Sequence, residues 1–297
     1  MGKARYRYPD AIVSTDWLAG HLDDAGLRGS LRIYDCTTYL AASDTPDKPY
    51  KVVSGRADYE AAHIPGSAFL DLQEALSKTP SPYRFTMLPL DELAVRFARH
   101  GIGDGVRVVL YSRKSPVWAS RIWWMLRAVG FDNAALLDGG WDKWSAEGKP
   151  VSAEPTTFPP ATLSVTPRPE IFVGKDEVKG AIGDAGVCTI NALLPELHRG
   201  EDKRYGRPGR VPGSVNVPAA TLYDKASLEL PSPEVAAQAF AGVGAEPGQR
   251  VITYCGGGIA ATLDAFLLHQ LGYEDIAVYD NSMSEWATDE TLPIETG

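Results

Sequence analysis

A cysteine lying between an apolar run and three glycines is the residue of this sequence best placed to do chemistry. The run Val251-Ile252-Thr253-Tyr254 leads into Cys255, then Gly256-Gly257-Gly258-Ile259-Ala260, then Ala261-Thr262-Leu263-Asp264-Ala265-Phe266-Leu267-Leu268. The β-branched and aromatic run predicts a buried strand, and the apolar repeat beyond the glycines predicts a helix. Consecutive glycines let the chain curl so that the N–H groups of Gly256, Gly257, Gly258, Ile259 and Ala260 converge on one spot. Such a nest, opening onto a helix N-terminus, carries partial positive charge and favours an anion. A thiol held there is expected to be partly thiolate, so the expected chemistry is nucleophilic attack by Cys255. Free cysteines more commonly serve as small core hydrophobes. That is the reading for Cys36, at the end of the apolar run from Leu31, and for Cys188, inside Val187-Cys188-Thr189-Ile190.

The elements that must position Cys255 are written twice. Val108-Val109-Leu110-Tyr111-Ser112 matches Val251-Ile252-Thr253-Tyr254-Cys255, with Ser112 opposite the cysteine. Each copy continues through a helix ending at glycine, Gly130 or Gly272, to a short strand and a turn that leads to Trp144 or Trp286. Upstream, His63-Ile64-Pro65-Gly66-Ser67 answers Arg210-Val211-Pro212-Gly213-Ser214. Short apolar strands alternate with amphipathic helices such as Asp91 to Gly101, whose glycine marks the stop. The alternation predicts an α/β fold in two tandem copies, each a mostly parallel sheet flanked by helices, with ligands at the strands' carboxyl ends. The expected division is residues 1–152, a proline-rich connector over 153–168, and residues 169–297.

The 297 residues are enough for two domains, and an apolar fraction of 44% is enough for two cores. A net charge of -9 argues against a nucleic-acid partner, because phosphates need a basic face. Three cysteines at unrelated spacings form neither a disulfide framework nor a metal site. The basic start, Met1 to Asp10, lacks the apolar stretch of a signal peptide, Tyr6 rules out a myristoylation motif at Gly2, and no run reaches membrane-spanning length. A soluble cytoplasmic protein is expected, without membrane partner and with a free Cys255.

The most specific motifs are His63-Ile64-Pro65-Gly66, Leu137-Asp138-Gly139-Gly140-Trp141-Asp142-Lys143-Trp144, Gly206-Arg207-Pro208-Gly209-Arg210-Val211-Pro212-Gly213 and the cysteine loop. Through them the chain resembles the tandem-domain sulfurtransferases of the rhodanese superfamily, over roughly Ser14 to Pro293. That group includes the thiosulfate and 3-mercaptopyruvate sulfurtransferases. The resemblance implies a first rhodanese-like domain that is catalytically silent and a second that carries the nucleophile. It implies that Cys255 takes the outer sulfur of a small-molecule donor as a persulfide and passes it to cyanide or a thiol. Neither metal nor organic cofactor is implied, and the silent domain is expected to wall the cleft.

Several positions depart from the family's pattern. Members acting on thiosulfate carry cations just after the cysteine, whereas Gly256-Gly257-Gly258 carries none. The 3-mercaptopyruvate branch reads Cys-Gly-Ser-Gly-Val-Thr, so its serine is Gly257 here, and the histidine that serine works with is His63. The family's Asp-x-Arg is Asn191-Ala192-Leu193, and a following substrate arginine falls on Leu197. Arg204 is placed most like the second substrate arginine, and with Arg199 and His63 it makes the candidate substrate-binding set. The plain alternatives are a solvated charge for Arg204 and a structural hydrogen bond for His63. An uncharged loop suits an α-keto acid better than a dianion, which favours 3-mercaptopyruvate over thiosulfate. A cysteine phosphatase, which shares this fold, needs an arginine six residues beyond the cysteine, where Ala261 stands. The remaining alternative is a persulfide carrier or binding scaffold fed by a partner protein.

Overall fold

Strands that are apolar at every position belong inside parallel sheets with both faces covered. Val108 to Tyr111 and Val251 to Tyr254 are buried without exception, and each run is the central strand of its sheet. The computed structural model describes residues 5–24, 29–44 and 49–297; residues 1–4, and with them the beginning of the basic stretch and Gly2, lie outside the described residues.

The first module runs β1 (Ile12–Val13), α1 (Thr15–His21), β2 (Leu31–Asp35), β3 (Thr38–Ala41), β4 (Lys51–Ser54), α2 (Arg56–Ala61), β5 (Ser67–Phe69), α3 (Leu72–Ala75), α4 (Leu90–Arg99), β6 (Arg107–Tyr111), α5 (Val117–Ala128), β7 (Ala134–Leu137) and α6 (Gly140–Ala146). The second runs β8 (Phe172–Val173), α7 (Lys175–Gly180), β9 (Val187–Asn191), α8 (Pro195–His198), β10 (Val215–Asn216), α9 (Pro233–Ala241), β11 (Arg250–Tyr254), α10 (Ala261–Gln270), β12 (Ile276–Tyr279) and α11 (Ser282–Trp286). The sheet orders are β1-β7-β6-β2-β5 and β8-β12-β11-β9-β10, with every pairing parallel. The expected mostly parallel α/β fold in two copies is thus observed. Among the strands of the described residues, the β3–β4 hairpin, an antiparallel addition to the first module, breaks the pattern.

The duplication extends to side chains. Tyr111 and Tyr254 end the central strands with hydroxyls 3.0 and 2.7 Å from Ser67 and Ser214, which close the two Pro-Gly-Ser turns. Trp144 and Trp286 donate from Nε1 to the carbonyls of Pro150 and Pro293. The modules pack through α5 and α10, where Trp123 meets Phe266 edge-on at 4.8 Å and Ser120 faces Thr262 at 2.9 Å. Between Ala146 and Pro169 the chain has no helix or strand, and it is pinned to the first module by bonds such as Ala161 N–H to the Ala98 carbonyl and Thr166 N–H to the Val129 carbonyl. No helix among the described residues is long and apolar enough to cross a membrane.

A further symmetry bears on the site. Each module sends a loop to the carboxyl end of the other's sheet, one carrying Phe85 and the other Leu228, both buried at positive φ. Asp280 accepts the Met87 N–H of the first loop, and Asp138 accepts the Leu230 N–H of the second, both at 2.8 Å.

Candidate active site

β11 ends at Tyr254 and α10 begins at Ala261, so Cys255 to Ala260 turn over the carboxyl end of the central strand. Two of the glycines are sterically required. A Cβ on Gly256 would collide with the Tyr205 hydroxyl, and one on Gly258, at φ +72°, would run into the Asp280 carbonyl. The loop is pinned from below by α11. Cys255 N–H donates to Ser282 Oγ at 3.0 Å, and the Cys255 carbonyl accepts from Met283 N–H at 3.1 Å. The Gly256 carbonyl accepts both the N–H and the hydroxyl of Ser284, at 2.8 and 2.7 Å.

The N–H groups of Gly256, Gly257, Gly258, Ile259 and Ala260 donate to no acceptor among the described residues. A run of unspent donors at the mouth of a ten-residue helix is an arrangement that receives an anion. The loop at Ser112 is the opposite case. There Arg113 N–H donates to Thr37 Oγ1 and Lys114 N–H to Asp142 Oδ2, at 3.1 and 2.9 Å. Leu228 and Leu230 close over that loop and leave a space of about 10 Å³.

Cys255 is 2% exposed, and a cavity of about 440 Å³ opens above its loop between the modules. The first module lines it with Tyr50, Tyr83 and Arg84, and the second with Lys203, Arg204, Tyr205 and Ser284. The Tyr50 and Tyr205 rings meet edge-on at 6.4 Å and stand over Gly257 and Gly256. Burial first, and the neighbouring Cys255 next, pushes the Tyr50 phenol up to about 12. Burial pushes Tyr205 higher, with Tyr50 and then Cys255 adding to it. Both phenols therefore stay protonated at neutral pH and can donate. Among the described residues no cluster of three or more histidines, cysteines or carboxylates is placed to hold a metal ion.

The candidate substrate residues are not brought together. Arg204 lines the cavity, tied to Asp202 at 2.9 Å. Arg199 does not line it; its guanidinium pairs with Glu201. His63 is fully buried in the first module, stacked on Tyr59, with Nδ1 2.6 Å from the Tyr59 carbonyl and Nε2 3.0 Å from that of Glu154. Both ring nitrogens thus face main-chain carbonyls, and the ring belongs to the turn rather than the cavity.

Sequence reasoning missed Tyr50, Tyr205, Arg84, Ser284 and the buried pair Arg121–Asp280, which holds the loop from the first module. A signal existed for Arg121, the one guanidinium in the wholly buried stretch Trp118 to Leu126. None existed for Tyr50, in a polar, proline-containing stretch far from the cysteine in sequence.

A family model for the rhodanese-like domain matches residues 14–147 and 198–289. The chain is 30% identical to the thiosulfate/3-mercaptopyruvate sulfurtransferase 1, mitochondrial, of Arabidopsis thaliana, covering 97% of this chain and 78% of that protein. It is 30% identical to the thiosulfate sulfurtransferase of Rattus norvegicus, covering 93% and 91%. Among solved structures, the anaerobic ergothioneine biosynthesis enzyme from Chlorobium limicola, in complex with trimethyl histidine, superposes with a TM-score of 0.82. It is 21% identical and covers 100% of this chain and 72% of the other, a likeness of fold. With the motif pairs, the two parallel sheets and these relatives in hand, the chain belongs to the rhodanese family, as two rhodanese-like domains in tandem with sulfurtransferases as its relatives.

Proposed function

We propose that this protein is a sulfurtransferase that carries sulfur as a persulfide on Cys255. The observation that carries the reading is Cys255 beside five unspent main-chain N–H groups, in a loop on which the cavity residues Tyr50, Tyr205 and Ser284 stand. The thiolate attacks the outer sulfur of the donor between the two phenols, and the bond from that sulfur to the rest of the donor breaks. The N–H groups of Gly256 to Ala260 hold first the thiolate and then the persulfide anion, without reorganising between the two. A thiol or cyanide acceptor then removes the outer sulfur and returns Cys255 to thiolate.

The placing of charge favours 3-mercaptopyruvate as donor. Thiosulfate carries its oxyanions one bond from the sulfur attacked, and the loop beside Cys255 is uncharged. The cations Arg84, Lys203 and Arg204 instead line the cavity, where they offer partners to a carboxylate carried away from the sulfur. We divide the chain into a silent domain to residue 152, a connector over 153–168 and a catalytic domain from 169. Ser112 and the nearly filled space above it support that division. The three cysteines are free, which fits a reducing compartment such as the cytoplasm.

The test is sulfur release by the purified protein from 3-mercaptopyruvate and from thiosulfate, each against Cys255→Ser. Turnover that the substitution abolishes, with Cys255 heavier by one sulfur after donor alone, is the expected result. A persulfide on Cys255 that forms only with a partner protein would support a carrier instead. Turnover that survives Cys255→Ser would refute the assignment.

A further inference from the structure

Taking sulfur from 3-mercaptopyruvate requires a proton that taking it from thiosulfate does not. When the carbon–sulfur bond breaks, its electron pair stays on carbon as the enolate of pyruvate, and that carbon must be protonated. Thiosulfate instead releases sulfite, which leaves as an anion. The cysteine loop itself offers no side-chain donor, since Gly257 has no hydroxyl. His63 is held by two main-chain carbonyls away from the cavity.

A hydroxyl nevertheless stands where a side chain at position 257 would point. The Tyr50 Oη lies 3.3 Å from the position a Cβ on Gly257 would occupy, nearer than any other atom of the surroundings. Tyr50 comes from the first module and reaches across the seam to line the cavity. Ser284 Oγ, which donates its proton to the Gly256 carbonyl, lies 3.8 Å from the same position and tempers the upward shift of the Tyr50 phenol.

We propose that Tyr50 is the acid that protonates the departing carbon of 3-mercaptopyruvate, supplying from the first module the hydroxyl that the loop lacks at Gly257; this rests on the sulfur-transfer reading above. Cys255 sulfur bonds to the donor sulfur, the carbon–sulfur bond breaks, and its electron pair goes to carbon, which takes the Tyr50 proton to give pyruvate. The thiol proton of the transferred sulfur then passes from the new Cys255 persulfide to the Tyr50 phenolate. Tyr50 is regenerated, the persulfide is left as its anion, and no outside oxidant or reductant is consumed.

The test is Tyr50→Phe in the full chain, which removes one oxygen and keeps the ring, with retained folding checked by thermal denaturation. The expected result is a fall in kcat on 3-mercaptopyruvate relative to kcat on thiosulfate of about a hundredfold, in the range of a lost general acid, with KM for 3-mercaptopyruvate little changed. A ratio left unchanged, whether both rates fall together or neither falls, overturns the inference. If the wild-type protein uses 3-mercaptopyruvate alone, the readout is the solvent deuterium isotope effect on pyruvate release, which Tyr50→Phe must shift; no shift overturns it. Sulfur taken by the wild-type protein from thiosulfate alone overturns the role of Tyr50 and leaves the Cys255 persulfide standing. No sulfur on Cys255 from either donor defeats both.

Discussion

The guanidinium of Arg121, on α5 of the first module, donates to the carbonyl of Gly258 in the cysteine loop of the second at 3.0 Å. It also donates to the Phe85 carbonyl at 3.1 Å and pairs with Asp280. One fully buried cation therefore ties together the cysteine loop, the crossing loop of the first module and the turn before α11. Removing it strands the Asp280 carboxylate and two carbonyls at once. Arg121→Met is expected to lower stability by roughly 3–5 kcal/mol, the loss typical of a buried pair with one partner deleted. Under conditions where the variant is still folded, a loop displaced by about 1 Å would lose about a hundredfold in kcat. Urea denaturation and steady-state rates measure the two effects. A variant with wild-type midpoint and wild-type rate would show that the first module does not hold the loop.

The first module's own loop is closed to the same chemistry. Ser112 Oγ donates to the Ser115 carbonyl at 2.6 Å, the neighbouring N–H groups are spent, and Leu228 and Leu230 fill the space above. A thiol placed there meets neither an anion nest nor a donor. Ser112→Cys in a Cys255→Ser background is thus expected to release no sulfur. By mass spectrometry, position 112 should resist a small thiol reagent until the protein is unfolded. Persulfide found at that position in the folded protein would mean that the missing cysteine alone keeps the module silent.

Charge in the cavity is unevenly committed. Arg204 is held by Asp202, whereas Arg84 and Lys203 have no acidic partner among the described residues. An exposed cation without a partner can serve an anionic donor at no cost to an existing pair. Arg84→Ala is expected to raise KM for 3-mercaptopyruvate about three- to fivefold, the scale of an exposed ion pair, with kcat little altered. Added salt should raise KM of the wild-type protein and affect the variant less. Equal KM values across a salt series would remove Arg84 from donor binding.

The parts of this molecule that could be read from sequence are those carried by local repetition. Val108 to Tyr111 and Val251 to Tyr254 announce central strands, and Gly256 to Gly258 announce a turn, because each signal lies within a few consecutive residues. Tyr50, Arg84 and Arg121 reach the cysteine loop only through the segment before β4, the crossing loop and the α5–α10 seam, which no local pattern encodes. His63 shows the converse, since its motif marks a real turn while the ring serves that turn's main chain. The β3–β4 hairpin has no counterpart in the second module, so the repeat gives no sign of it.

Asp264 sits in the first turn of α10, fully buried, with neither carboxylate oxygen hydrogen-bonded among the described residues. Burial holds its carboxyl well above the usual carboxylate range, so the folded protein keeps a proton that the unfolded chain has released above about pH 4. The folded state binds more protons, and the contribution of Asp264 to stability is therefore complete below about pH 4 and is lost as pH rises towards its folded pKa. Asn is nearly isosteric and does not titrate. Asp264→Asn should accordingly gain stability relative to wild type as pH rises, by up to about 1.4 kcal/mol per pH unit until the native carboxyl itself ionises. Urea midpoints at acid, neutral and mildly alkaline pH, compared between the two proteins, measure that slope. A difference that does not change with pH would mean that Asp264 is already ionised in the folded protein and has found a partner.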